Sequence, residues 1–198
     1  MTPKQAERLR QKITDIRRVL AAEKRKFGGY DDSRGLRYLP ANYYVQLGDF
    51  KGGLTYLRWF HRNFPDDAGF PDFLFEWTLI LFRNGRLPDA AQKAFVTYRA
   101  DTHILDRFLG RPVTPAEPWE HAPLDAASYV TYFNSLGGQA ALVDFGEWLA
   151  ALTLTEAFLT DASRFIDLNR QLHGEADPER RHYLVRQLYP VSPGNNEE

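Results

Sequence analysis

Apolar residues return every three or four positions through most of the chain, and no segment sustains the period-two alternation of a half-buried strand. That pattern predicts an all-α fold assembled from antiparallel helix pairs. The N-terminal stretch shows it most plainly. Ala6, Leu9, Ile13, Ile16, Leu20 and Phe27 form a narrow apolar seam, interrupted at Glu23, on a helix of about six turns spanning residues 4–27. Thr2 is placed to cap this helix, Pro3 suits its first position, and Gly28-Gly29 ends it.

Glycine and proline cut the rest into pairs. Arg37 to Leu47 reads as one helix and Gly48-Asp49 as a turn; Leu54, Leu57, Phe60 and Phe64 mark a second helix that Pro65 stops. Phe73 to Phe82, Asn84-Gly85, and then Ala90, Ala91, Ala94, Phe95 and Tyr98 repeat the arrangement, with Pro88 tolerated in a first turn. Setting Gly48 on Gly85 gives a period of 37 residues. A short helix, His103 to Leu109, follows. The segment "GRPVTPAEPWEHAP" over 110–123 then predicts an irregular connection, with Trp119 as its anchor. Beyond it, Asp125 to Leu136 and Gln139 to Leu152 read as a pair about Gly137-Gly138, and Thr155 to His173 with Pro178 to Leu188 as another. The tail over 190–198 has nothing to bury and is expected to be disordered. The expectation is one helical domain over 1–189, with two like units over 36–101 and the C-terminal helices over 124–189.

In "ANYYVQLGDFKGGLTYLRWFHRNFPDD" the order Ala41, Tyr44, Gly48, Phe50, Gly53, Leu57, Phe60, Pro65 resembles the tetratricopeptide repeat (TPR). The second unit supplies Leu74, Trp77, Thr78, Leu81, Gly85, Leu87, Ala90, Ala94 and Thr97. The resemblance covers about a third of the chain, and the chain is also similar to uncharacterised bacterial proteins of that repeat type. It departs from the pattern in several places. Pro40 falls in the expected first helix, which is predicted to begin only after it. Phe60 and Thr97 stand where alanine is usual, no proline closes the second unit, and the period exceeds the usual 34 or so. Two units are also fewer than the roughly three a stable array requires, so flanking helices must complete the core.

The resemblance implies a right-handed α-α superhelix with an N-terminal capping helix and divergent C-terminal helices. It also implies a concave face lined by the first helix of each unit: Tyr38, Asn42, Val45 and Gln46, then Asp72, Phe75, Leu79, Phe82 and Arg83. Asn42 matches a position that holds a peptide in carboxylate-clamp members. Tyr38 stands where that clamp has lysine, and Glu76 where it has asparagine; an ionised Glu76 repels a C-terminal carboxylate. The competing expectation is that Phe75, Leu79 and Phe82 pack under the C-terminal helices, which fill the groove.

Charge and composition narrow the function classes. The chain carries 25 Lys/Arg against 26 Asp/Glu, yet eleven of the bases and five of the acids lie between Met1 and Arg37, a local +6 that leaves −7 elsewhere. A cationic N-terminal helix with Arg34, Arg37, Tyr30, Tyr38 and Tyr43 behind it offers a nucleic-acid reading, which a pI near 6.5 disfavours. With no cysteine, a disulfide scaffold, a thiolate nucleophile, a Cys-ligated zinc site and an iron–sulfur cluster are excluded.

His61, His103, His121, His173 and His182 lack metal-helix spacing, and neither a metal site nor a cofactor is expected. His103 with Asp106, and Asp161 with Arg164, read as surface pairs. Asp31-Asp32 and Asp66-Asp67 read as caps or turn formers, and "GGYDDSRG" is no phosphate loop. A hydrolase acting in the aromatic cleft is the one enzymatic alternative. The N-terminus has no apolar signal region, and the longest apolar stretch, Phe73 to Phe82, is about half of a membrane span. The sequence therefore predicts a cytoplasmic, non-catalytic interaction module that binds a peptide or protein partner through its concave face. Its N-terminal seam also suits self-association into a homo-oligomer.

Overall fold

The computed structural model describes residues 1–113 and 126–189, and every regular element among them is a helix. Trp119, His121, the greater part of the proline-rich connection and the 190–198 tail lie outside the described residues.

Helix α1 (Pro3–Phe27) begins with a reciprocal cap: Thr2 Oγ1 accepts from the Gln5 amide while the Gln5 side chain accepts from the Thr2 amide. It ends where Gly28 takes φ +74°. Its seam is used inside the chain. Ile13, Ile16 and Leu20 are buried, while Phe27 stays exposed.

A short 3-10 turn over Leu36–Tyr38 leads into α2 (Leu39–Leu47). Pro40 lies within the first turn of α2, where the amide it lacks is not needed, so the helix starts before this proline and not after it. The entry is fixed by Asp32, whose carboxylate accepts from the Leu36 and Arg37 amides at 2.7 and 2.9 Å. Arg37 bridges Asp32 at 3.0 Å and Asp67 at 2.7 Å, and Tyr38 donates its hydroxyl to Asp67 at 2.8 Å. Burial raises the Asp67 pKa, but the hydrogen bonds from Arg37, Tyr38 and the Gly69 amide hold it below the usual value.

Two hairpins follow, α2 with α3 (Phe50–Asn63), and α4 (Pro71–Arg83) with α5 (Leu87–Ala100). The 37-residue offset is visible in the backbone, since Gly48 and Gly85 adopt φ +67° and +70° at matching turns. Gly53 serves a different end: a Cβ there would lie 3.0 Å from Ile80 Cδ1 and 3.2 Å from Tyr44 Cβ, so its absence lets α3 close on both α2 and α4.

Helix α4 is enclosed on nearly all sides, with Phe73 through Glu76 and Thr78 through Leu81 buried, and it forms the centre of the structure. On one side lie α2, α3 and α5. On the other, Phe75 meets Phe108 of α6 (Ile104–Phe108), Phe133 of α7 (Ala126–Ser135) and Phe145 of α9 (Val143–Leu152), at ring separations of 5.0, 5.3 and 5.7 Å. The single helix expected over Gln139 to Leu152 is two, α8 (Gly138–Ala141) and α9. The chain leaves helical geometry at Leu142 (φ −123°, ψ 23°), which buries that side chain, and Asp144 accepts from the Phe145 amide at the new start. Phe158 of α10 (Glu156–Gly174) stacks edge-on against Phe95 and Tyr98 of α5, and α11 (Pro178–Leu188) packs on α10.

Candidate interaction surface

The side chains expected to line a concave face do gather on α2, the turn before it and α4, but the C-terminal helices cover Phe75 and Phe82. Val45, Phe75 and Leu79 are buried, the last two at 0% exposure. Phe82 rests against Phe145 and Trp148 of α9, at 5.3 and 5.0 Å. Arg83 pairs with Asp144 and donates to the Ala141 carbonyl. Tyr38 faces Phe60, Phe70 and Phe73. Asp72 stays exposed at the edge, its carbonyl accepting from the Tyr132 hydroxyl at 2.9 Å. The reason lies in α4: a helix apolar around its circumference leaves a large surface to water unless a second layer covers it.

One polar chain runs through this filled face. Gln46 Nε2 donates to Asn42 Oδ1, Asn42 Nδ2 donates to Glu76 Oε1 at 2.7 Å, and the Tyr132 hydroxyl reaches the same oxygen at 3.2 Å. Glu76 thereby joins α2, α4 and α7. Burial drives its carboxyl up to about 8, the hydrogen bonds from Asn42 and Tyr132 oppose that rise, and nearby Asp72 adds to it. At neutral pH Glu76 is therefore mostly an uncharged acid. The repulsion expected between an ionised Glu76 and a ligand carboxylate does not operate, because the group is both neutral and covered by Tyr132. Chemically the arrangement is a latch between helices.

Gln46 also leads outward. It borders an open groove of about 890 Å³ between the N-terminal turns of α1 and the end of α7. Met1, Arg8, Leu9 and Lys12 form one wall, and Asn134, Ser135 and Leu136 the other. The sequence reading passed over this groove, though lengths alone hinted at it. At roughly 1.5 Å per residue, the 25-residue α1 is far longer than the nine-residue α2 on which it packs. The excess projects at the N-terminal end, and none of residues 1–12 is buried.

Several of the remaining candidates make contacts inside the chain. Tyr30 donates to Asn63 Oδ1 and packs on Trp59 and Phe64, and Tyr43 lies under Lys12 Nζ at 5.4 Å. Asp67 Oδ1 accepts from the Gly69 amide as a turn former, and His103 is buried, its amide donating to Asp101. Among the described residues no group of three His, Cys, Asp or Glu side chains is placed to hold a metal ion, and no helix is long and apolar enough to cross a membrane. In comparisons with known proteins, no family model matches the chain, and neither does any curated protein or solved structure at a significant level.

Proposed function

We propose that this chain is a TPR-like, non-catalytic helical module that binds an extended segment of a protein partner in the groove between α1 and α7. The observation that carries the reading is the position of Gln46. It belongs to the expected binding face, it still borders open space, and it ties that space to the buried Asn42–Glu76–Tyr132 chain. The groove combines Leu9 with the cations Arg8 and Lys12, so it favours a segment bearing both apolar and acidic side chains. A protein partner is favoured over nucleic acid because Tyr30 and Tyr38, two of the three rings the nucleic-acid reading offers for base stacking, are committed to internal packing, leaving Tyr43.

A photo-crosslinking residue in place of Leu9, compared with one in place of exposed Glu179 on α11, tests the reading in extract of the native host. The expected result is a discrete adduct at position 9 alone, lost when Arg8 and Lys12 are both changed to Glu. Equal labelling at the two positions would overturn it.

A further inference from the structure

A second groove, of about 390 Å³, lies between α3 and α5 on the other side of α4. Trp77 reaches it from a position about 200° around the α4 axis from Phe75, which faces the C-terminal helices. The floor is Leu57, Leu81 and Trp77. Lys93 Nζ sits 3.9 Å from the Trp77 ring centroid, and among the described residues no hydrogen bond or ion pair reaches that ammonium. Burial lowers its pKa from the ordinary lysine value.

Arg58 and Arg86 stand at the rim with His61, whose ring lies 6.3 Å from that of Trp77. The one acid in the groove, Asp89, is engaged by Arg86 at 2.6 Å. Arg58 and Lys93 thus face one apolar trough with no ion-pair partner among the described residues. A groove built in this way complements an anion. Its cations also stand on separate helices, Arg58 on α3 and Lys93 on α5. A peptide with several carboxylates meets both helices at once.

We propose that the α3–α5 groove is a docking site for an acidic segment of a partner protein, whose carboxylates meet Lys93 and Arg58 while an apolar side chain lies on Trp77 and Leu57. This site is separate from the α1 groove and does not depend on it, so failure of either assignment leaves the other standing.

The test uses the full chain and a labelled ten-residue peptide in which pairs of Glu flank a Leu-Phe centre. The same peptide with Lys for Glu serves as control, and inorganic phosphate as competitor. Binding is followed by peptide anisotropy and by the Trp77 indole cross-peak, assigned through Trp77→Phe. The acidic peptide is expected to bind, to shift the Trp77 peak, and to weaken as salt rises from about 50 to about 500 mM. Lys93→Met with Arg58→Gln, which keep the side-chain stems in place, should lower affinity about tenfold at unchanged helicity. The proposal is overturned by equal binding of the Lys peptide, by unchanged affinity in the double variant, or by phosphate alone reproducing the Trp77 shift and displacing the peptide, which marks a small-anion site.

Discussion

Asn42 on α2 donates to Glu76 on α4 across 2.7 Å, and it does so to a carboxyl that is buried and mostly protonated at neutral pH. The pair holds the two hairpins together, and Tyr132 extends the hold to α7. A neutral acid in this position is tolerable, because burying the ionised form costs far more than burying the protonated one.

The pH dependence of stability follows from that pair. The Glu76 carboxyl rises from 4.5 to about 8 on folding. The stability of the protonated form is fully present below about 4.5 and is lost as pH rises toward and through 8, by a few kcal/mol on the order of 1.4 per unit. Asp67 works in the opposite sense, but only at acid pH. Thermal melts are expected to fall from about pH 5 to 9 in the native chain, whereas Glu76→Gln should melt nearly independently of pH across that interval. An unchanged slope in the variant would show that Glu76 is ionised in the fold.

Phe75 is the keystone between the hairpins and the C-terminal layer, touching α6, α7 and α9 together. Phe75→Ala should cost about 3–5 kcal/mol in denaturant unfolding. Phe82→Ala, at a half-exposed site on the same face, should cost clearly less. Hydrogen exchange in the Phe75 variant is expected to rise first in α7 and α9. Equal losses for the two substitutions would mean that the C-terminal layer does not sit on Phe75.

Arg37 neutralises Asp32, whose side chain is 1% exposed. Arg37→Met leaves that carboxylate buried and unpaired, at an expected cost of about 3 kcal/mol. Adding Asp32→Asn should recover part of the loss, because it removes the buried charge, although its single amide oxygen keeps only one of the two bonds that the carboxylate accepts from the Leu36 and Arg37 amides on separate oxygens. A double variant no more stable than the single one, measured by urea unfolding, would assign the cost to packing of the arginine stem.

Much of the fold was legible in the sequence because the cues are local. Thr2 and Gly28 bound α1, Gly48 and Gly85 mark equivalent turns, and Pro88 and Pro178 open helices at positions where a missing amide does no harm, whereas α4 starts at Pro71, two residues before the expected Phe73. Even the break at Leu142 is a local event, although its cause, burial of that side chain, is not local. The candidate surface was far less legible. Periodicity identified Phe75, Leu79 and Phe82 as one apolar face, but what lies on that face depends on Phe133, Phe145 and Trp148, some 50 to 70 residues further along the chain. Likewise Glu76 reads as a surface acid until Tyr132 is placed over it.

The sequence alone determined that the chain is helical, where most of its helices start and stop, and that glycine turns recur at Gly48 and Gly85, because capping, turn chemistry and apolar spacing act within a few residues. Only the tertiary structure decided that the apolar part of the expected binding face is covered, that Glu76 is buried with its carboxyl pushed up to about 8, and that grooves lie open beside α1 and between α3 and α5. Burial, and with it charge state and access, is set by contacts between side chains distant in the sequence.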